Sequence, residues 1–233
     1  EFRRVLSRSR SLGLMTPQEI NAYYNPVQNE IVFPAAILQP PFFDPKADDA
    51  VNYGAIGVVI GHEMGHGFDD QGSKYDFSGT LRNWWTAEDR KKFETRAGCV
   101  IDQFNTMDVG DNLRHNGRLV VGEAMGDLGG LQIAYRAYQR ALGGKPAPVL
   151  DGYTGDQRFF LSYGQIWRTK MRDGALRRQV LSNPHAPPEF RALGAPRNID
   201  AWYDAFGIKD GDYALPRSEE HTSELQSLAY LVC

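Results

Sequence analysis

Between residues 50 and 68 the chain has no proline, an apolar series of Val51, Ala55, Val58, Val59 and Met64, and glycine at 54, 57, 61 and 65. The apolar spacing predicts a buried helix. Each glycine lowers helix propensity by roughly 0.8–1 kcal/mol relative to alanine, so four of them in one helix point to close approach of another backbone. The chain is therefore expected to fold around a tight crossing at this segment.

The remainder reads as mainly helical. Residues 16–43 are extended in character, with a strand over 30–33 and Pro34, Pro40, Pro41 and Pro45 forbidding a long helix. Thr86 followed by Asp89 opens a helix running to about 107. Further helices are expected over 120–142, ended by Gly143-Gly144, and over 156–171 and 173–182. A proline-rich loop over 183–196 precedes a short helix near 198–206. No internal repeat and no long linker is visible. The expected fold class is mainly α with a small β component (α+β), in one domain over residues 1–216.

Composition excludes several classes. The 233 residues are 42% hydrophobic, enough for a core, and Lys+Arg 26 against Asp+Glu 29 gives a net charge of −3. A polyanion-binding protein carries a basic excess, so nucleic acid is not the expected partner. Mean hydropathy is −0.46, and no apolar run is long enough for a membrane span. Cys99 and Cys233 do not make a disulfide framework. No apolar stretch of signal-peptide type follows Arg3, Arg4, Arg8 and Arg10, which read as a solvated basic segment of a fragment from a longer chain.

The chemistry sits inside the glycine-rich helix, as His62-Glu63-Met64-Gly65-His66. His-Glu-x-x-His on a helix puts both imidazoles one turn apart on one face, where they can reach one zinc ion. Glu63 can enter the same cleft and deprotonate a water activated by the metal. A surface pair of histidines is the plain alternative, but the preceding Val58-Val59-Ile60 makes the helix buried, and buried histidines need partners. Catalytic zinc needs a third protein ligand. Glu123 lies 57 residues beyond His66 (123 − 66), with Asp127 on the same helical face. Glu123 can bind metal while Asp127 accepts the second ring N–H of a ligand histidine. A Glu-x-x-x-Asp pair is by itself most often a solvated face, yet the flanking Val120-Val121-Gly122 and Leu128-Gly129-Gly130 make it buried.

These motifs, together with Asn21-Ala22-Tyr23-Tyr24-Asn25-Pro26, the run from Asn29 to Phe43, and His66-Gly67-Phe68-Asp69-Asp70, resemble the neprilysin and endothelin-converting-enzyme family of zinc endopeptidases, the gluzincin type. The resemblance spans about residues 15–216. It implies a thermolysin-like catalytic domain, incomplete at the N-terminus, with one Zn2+ per chain held by His62, His66 and Glu123. Glu63 would be general base and then proton donor, with Asp127 supporting His62 and Asp69 supporting His66. His185 matches the histidine that stabilises the oxyanion, and Arg191 the arginine that holds a substrate carbonyl. Asn21 and Ala22 would pair with the substrate main chain. Ile37, Phe42, Val58, Val59 and Trp167 match the apolar pocket for the residue after the scissile bond. The implied activity is hydrolysis of internal bonds of peptide substrates on the amino side of large apolar residues, with an extracytoplasmic address.

The chain also departs from that pattern. Family members carry a large helical region N-terminal to everything here, which closes over the site; it would be a partner of this part, and Cys99 resembles a cysteine whose disulfide partner lies in it. Residues 217–233 do not resemble the family's ending and read as a foreign tail, from a frameshift or a sequencing or assembly artefact. The rival reading is a catalytically silent fragment that acts only as a zinc-binding or interaction module.

Overall fold

A computed structural model describes residues 14–209; the basic stretch at 3–10, the tail 217–233 and Cys233 lie outside the described residues. Among the described residues the architecture is mostly helical with two small antiparallel hairpins. The expected α-rich α+β class is the one observed.

The first hairpin pairs β1 (Tyr23–Asn25) with β2 (Glu30–Val32), Tyr23 opposite Val32. Helix α1 covers residues 49–65 in three parts: Asp49–Asn52, a wide π-type turn over Tyr53–Gly57, and Val58–Gly65. It ends before Phe68, the expected end. Asp69 Oδ1 accepts from the amides of Gln71 and Gly72 at 2.8 and 2.7 Å, and those bonds turn the chain away from the helix axis.

Helix α2 (Ala87–Thr106) is capped as expected by Thr86, whose hydroxyl accepts from the Asp89 amide at 3.1 Å. A second hairpin, β3 (Asp108–Gly110) with β4 (Leu113–Arg114), follows and was not expected. Its signal is Gly110-Asp111-Asn112, with Asp111 and Asn112 at φ 52° and 59°, the double left-handed turn that suits strand twist. Helix α3 (Gly117–Ala141) begins ahead of the expected 120 because Asn116 accepts from the amides of Arg118 and Leu119.

Helix α4 (Gly155–Ile166) opens on a Thr154–Gln157 capping box and stops short of the expected 171, where Trp167 leaves helical geometry beneath the Arg191 guanidinium. Helix α5 (Asp173–Ser182) matches its expected bounds. The expected loop 183–196 contains a further helix, α6 (Pro188–Gly194). Proline at the first helical position loses no bond, since that N–H has no intrahelical acceptor, so a proline-rich run can begin a helix as well as forbid one. Helix α7 (Asp200–Phe206) follows a short 3-10 turn over Pro196–Asn198.

The core forms where α3 and α4 meet, around the fully buried Leu128, Leu131, Tyr138, Phe159 and Tyr163. Helix α1 crosses α3 at glycine. A Cβ on Gly61 would stand 2.8 Å from Gly130 Cα, and one on Gly126 would stand 2.8 Å from the His62 ring. The close approach anticipated from the glycines of α1 is thus real, and it is matched by glycines of α3. It brings the His62 face of α1 against the Glu123–Asp127 turn of α3. Among the described residues no helix is long and apolar enough to cross a membrane.

Candidate active site

All fifteen side chains singled out from the sequence line one cleft of about 850 Å³. His62 and Glu63 are buried, and His66 is half-buried one helical turn on. The two imidazoles meet edge to face with centroids 4.5 Å apart. Each is oriented from behind by a carboxylate: His62 Nδ1 lies 2.9 Å from Asp127 Oδ1, and His66 Nδ1 lies 2.7 Å from Asp69 Oδ2. That leaves both Nε2 atoms facing the cleft, where Glu123 presents Oε2 at 3.2 Å to His62 and Oε1 at 3.7 Å to His66.

A tetrahedral site with bonds of about 2.0–2.1 Å has ligand atoms roughly 3.3 Å apart, so this triangle has the size of a zinc site. The carboxylate of Glu63 also lies within 4.8 Å of the ligand atoms of His62 and His66, so two glutamates compete for the role of third ligand. Their environments differ. Burial raises the Glu63 pKa, outweighing the nearby histidines, and its Oε2 is buried without a hydrogen-bond partner. Glu123 Oε2 is likewise buried and outside good hydrogen-bond geometry, but the His185 and His62 imidazoles at 3.0 and 3.2 Å overcome burial and hold its carboxyl well below the usual range. One carboxyl is thus held low and the other is shifted up.

Burial pulls the His62 imidazole down, yet the Asp127 and Glu123 carboxylates overrule it and hold its pKa up at about 10. The carboxylate-rich centre therefore favours positive charge. A divalent cation held by His62 and its neighbours would meet the same demand in place of that proton.

His185 reaches the same centre from the loop before α6, with Nε2 3.0 Å from Glu123 Oε2 and Nδ1 held by Asn183 at 3.0 Å. Arg191, on α6, donates from Nε and Nη2 to Asp127 at 2.7 and 2.6 Å and lies 4.1 Å over the Trp167 ring. Asn183 and the Arg191–Asp127 pair are contributions that sequence reasoning missed. The partners in that ion pair are far apart in the chain, and no local pattern announces them.

The residues that the resemblance places on the substrate side also line the cleft. Asn21 and Ala22 line the cleft and lead into β1, whose Tyr23 and Tyr24 line it too. Ile37 packs with Ala22 and Ile56 in a small apolar cluster that Phe42 and Val59 extend. Val58 belongs to the main core at the cleft floor, and Trp167 joins from the end of α4.

A family model, Peptidase family M13, matches residues 21–222. The chain belongs to peptidase family M13. Among curated M13 relatives, it is 46% identical to neprilysin-11 of Caenorhabditis elegans over 82% of the chain and 23% of that protein. It is 40% identical to endothelin-converting enzyme 1 of Bos taurus over 93% of the chain and 29% of that protein. The solved structure of zinc metalloprotease ZMP1 from Mycobacterium tuberculosis, in complex with an inhibitor, superposes with a TM-score of 0.85 at 54% identity. That match covers 89% of this chain and 32% of the other. The M13 segment described here thus spans about a quarter to a third of the length of its relatives. Cys99 is in no disulfide among the described residues, and its Sγ donates to the Thr95 carbonyl.

Proposed function

We propose that this chain carries the active site of a zinc-dependent endopeptidase, with one zinc per chain held by His62, His66 and Glu123. The observation that carries the reading is the convergence of both Nε2 atoms on the two oxygens of Glu123, at 3.2 and 3.7 Å. When bound, zinc supplies a Lewis acid that polarises the peptide carbonyl and lowers the pKa of a water towards ~7.

The chain's own residues supply the rest. Asp127 and Asp69 hold the ligand imidazoles in their binding tautomer. Glu63, buried and kept basic, takes the proton from water at Oε2 and passes it to the leaving amine. His185, with its side chain 41% exposed at the cleft, donates to the carbonyl oxygen as negative charge develops there. Arg191 binds a substrate carbonyl with the guanidinium edge not committed to Asp127. An extended peptide adds to the edge at Asn21 and Ala22 through main-chain hydrogen bonds, which read no sequence. Selection falls to the pocket of Ile37, Phe42, Val58, Val59 and Trp167, which favours cleavage on the amino side of large apolar residues. Peptides are the substrates, and the setting is extracytoplasmic. Residues 1–216 carry the catalytic part, and a helical region N-terminal to them completes it in the parent protein.

The test is Glu63→Gln beside His62→Ala. Elemental analysis should find about one zinc per chain in the wild type and in Glu63→Gln, and little in His62→Ala. Peptide turnover should fall in Glu63→Gln by about 10²–10⁴-fold. Turnover unaffected by that change would sink the mechanism. Zinc retained by a wild-type protein that cleaves no peptide would leave only a zinc-binding module.

A further inference from the structure

The cleft has two unlike ends on either side of the His62–Glu123–His66 centre. Val58 and Val59 stand one turn before His62 on α1, and with Ile37, Phe42 and Trp167 they make one end apolar. The other end lies past His66, where Asp70, Gln71 and Lys74 line the cleft together with Arg118 from the first turn of α3. On α3, residues 122, 126 and 130 recur every four positions along one side. Gly130 meets α1, Gly126 meets His62, and a Cβ on Gly122 would stand 2.7 Å from Asp70 Oδ1. Arg118 stands one turn before Gly122 and lines the cleft.

The charges at this end do not cancel evenly. Gln71 Nε2 donates to Asp70 Oδ2 at 2.6 Å, and Lys74 Nζ donates to Gln71 Oε1 at 2.8 Å, so one amide links that anion and that cation. Burial pushes the Asp70 carboxyl up from its ordinary value. Asp69 is committed to His66, and Arg191 to Asp127. Arg118 is exposed, and its guanidinium has no carboxylate partner among the described residues. Among the described residues, it lines the cleft without an ion pair.

We propose that Arg118 is a specificity residue that selects peptides carrying an acidic side chain on the amino side of the scissile bond. The inference rests on the endopeptidase reading. If the residue after the scissile bond occupies the apolar end, the residues before it run past the metal centre towards Arg118. An aspartate or glutamate there pairs with the exposed guanidinium, while a lysine meets like charge.

The test uses peptides with one phenylalanine after the scissile bond and Asp, Ala or Lys at each of the three positions before it. Binding is read by fluorescence anisotropy on the zinc-loaded Glu63→Gln protein, and cleavage on the zinc-loaded wild type. At one position the Asp peptide should bind about threefold to fivefold more tightly than the Lys peptide. Arg118→Gln should abolish that ratio and Arg118→Glu should invert it, and cleavage ratios should follow. Asp and Lys peptides that bind alike, or do not bind at all, would overturn the inference. Charge-dependent binding without any cleavage by the wild type would support Arg118 as a selector while overturning the endopeptidase reading.

Discussion

Arg191 donates through Nε and Nη2 to both oxygens of Asp127, at 2.7 and 2.6 Å, and the same carboxylate faces His62 Nδ1 at 2.9 Å. One buried aspartate therefore fixes a cationic fork and an imidazole together. Burial alone would raise the Asp127 pKa, but the Arg191 charge and hydrogen bonds outweigh it and keep the carboxyl ionised.

Removing the fork leaves that anion buried and uncompensated. Arg191→Met should cost about 3–5 kcal/mol of unfolding free energy, the usual result of breaking a buried pair from one side. Urea unfolding followed by circular dichroism measures it. A loss below about 1 kcal/mol would mean that solvent or a rearranged side chain replaces the arginine.

Asp127→Asn keeps the size of the side chain and removes its charge. Zinc affinity should fall about 10–100-fold, because the imidazole loses the partner that sets its tautomer and basicity. Asp69→Asn should act in the same direction through His66, whose Nδ1 is 2.7 Å from Asp69. Competition against a chromophoric chelator reads both variants.

Gly126→Ala pushes a methyl group into the His62 ring, since its Cβ would stand 2.8 Å from the imidazole. Stability should drop by about 1–3 kcal/mol from overpacking, and zinc affinity should drop with it. Gly129→Ala is the control: its Cβ meets nothing within 4 Å, and helix propensity favours alanine by up to about 1 kcal/mol. Equal losses in both variants would show that the crossing does not depend on the space at Gly126.

Asp76 gives a pH signature separate from the metal centre. The Ser78 hydroxyl, with the amides of Thr80 and Ser78 and the Arg82 guanidinium, overcomes desolvation and holds its carboxyl at about 2, below the ordinary 3.8. A lowered folded-state pKa contributes stability that is present above pH 3.8 and is lost as pH falls towards 2. The stability gap between wild type and Asp76→Asn should therefore narrow across that window. A gap that stays constant down to pH 2 would contradict the assignment.

Much of the site was legible because its chemistry is local. His62, Glu63 and His66 share one helical turn, and Glu123 with Asp127 shares another, so spacing alone supplies both faces. Helix ends were less legible. Residues 66–68 leave α1 because of hydrogen bonds to Asp69, and the helix over Pro188–Gly194 hides in a proline-rich run. In both places a side chain or a first-turn exception decides between nearly equal backbone states.

By itself the sequence determined a glycine-bearing buried helix with a metal-type histidine pair, and a second helix offering two carboxylates. Only the tertiary structure decided that Gly61 meets Gly130, that both oxygens of Glu123 face the two Nε2 atoms, and that Arg191 closes on Asp127. The reason is range. Periodicity along one helix is set by backbone geometry, whereas the pairing of groups many residues apart depends on how closely two helices pack, and here that distance is set by missing side chains on both.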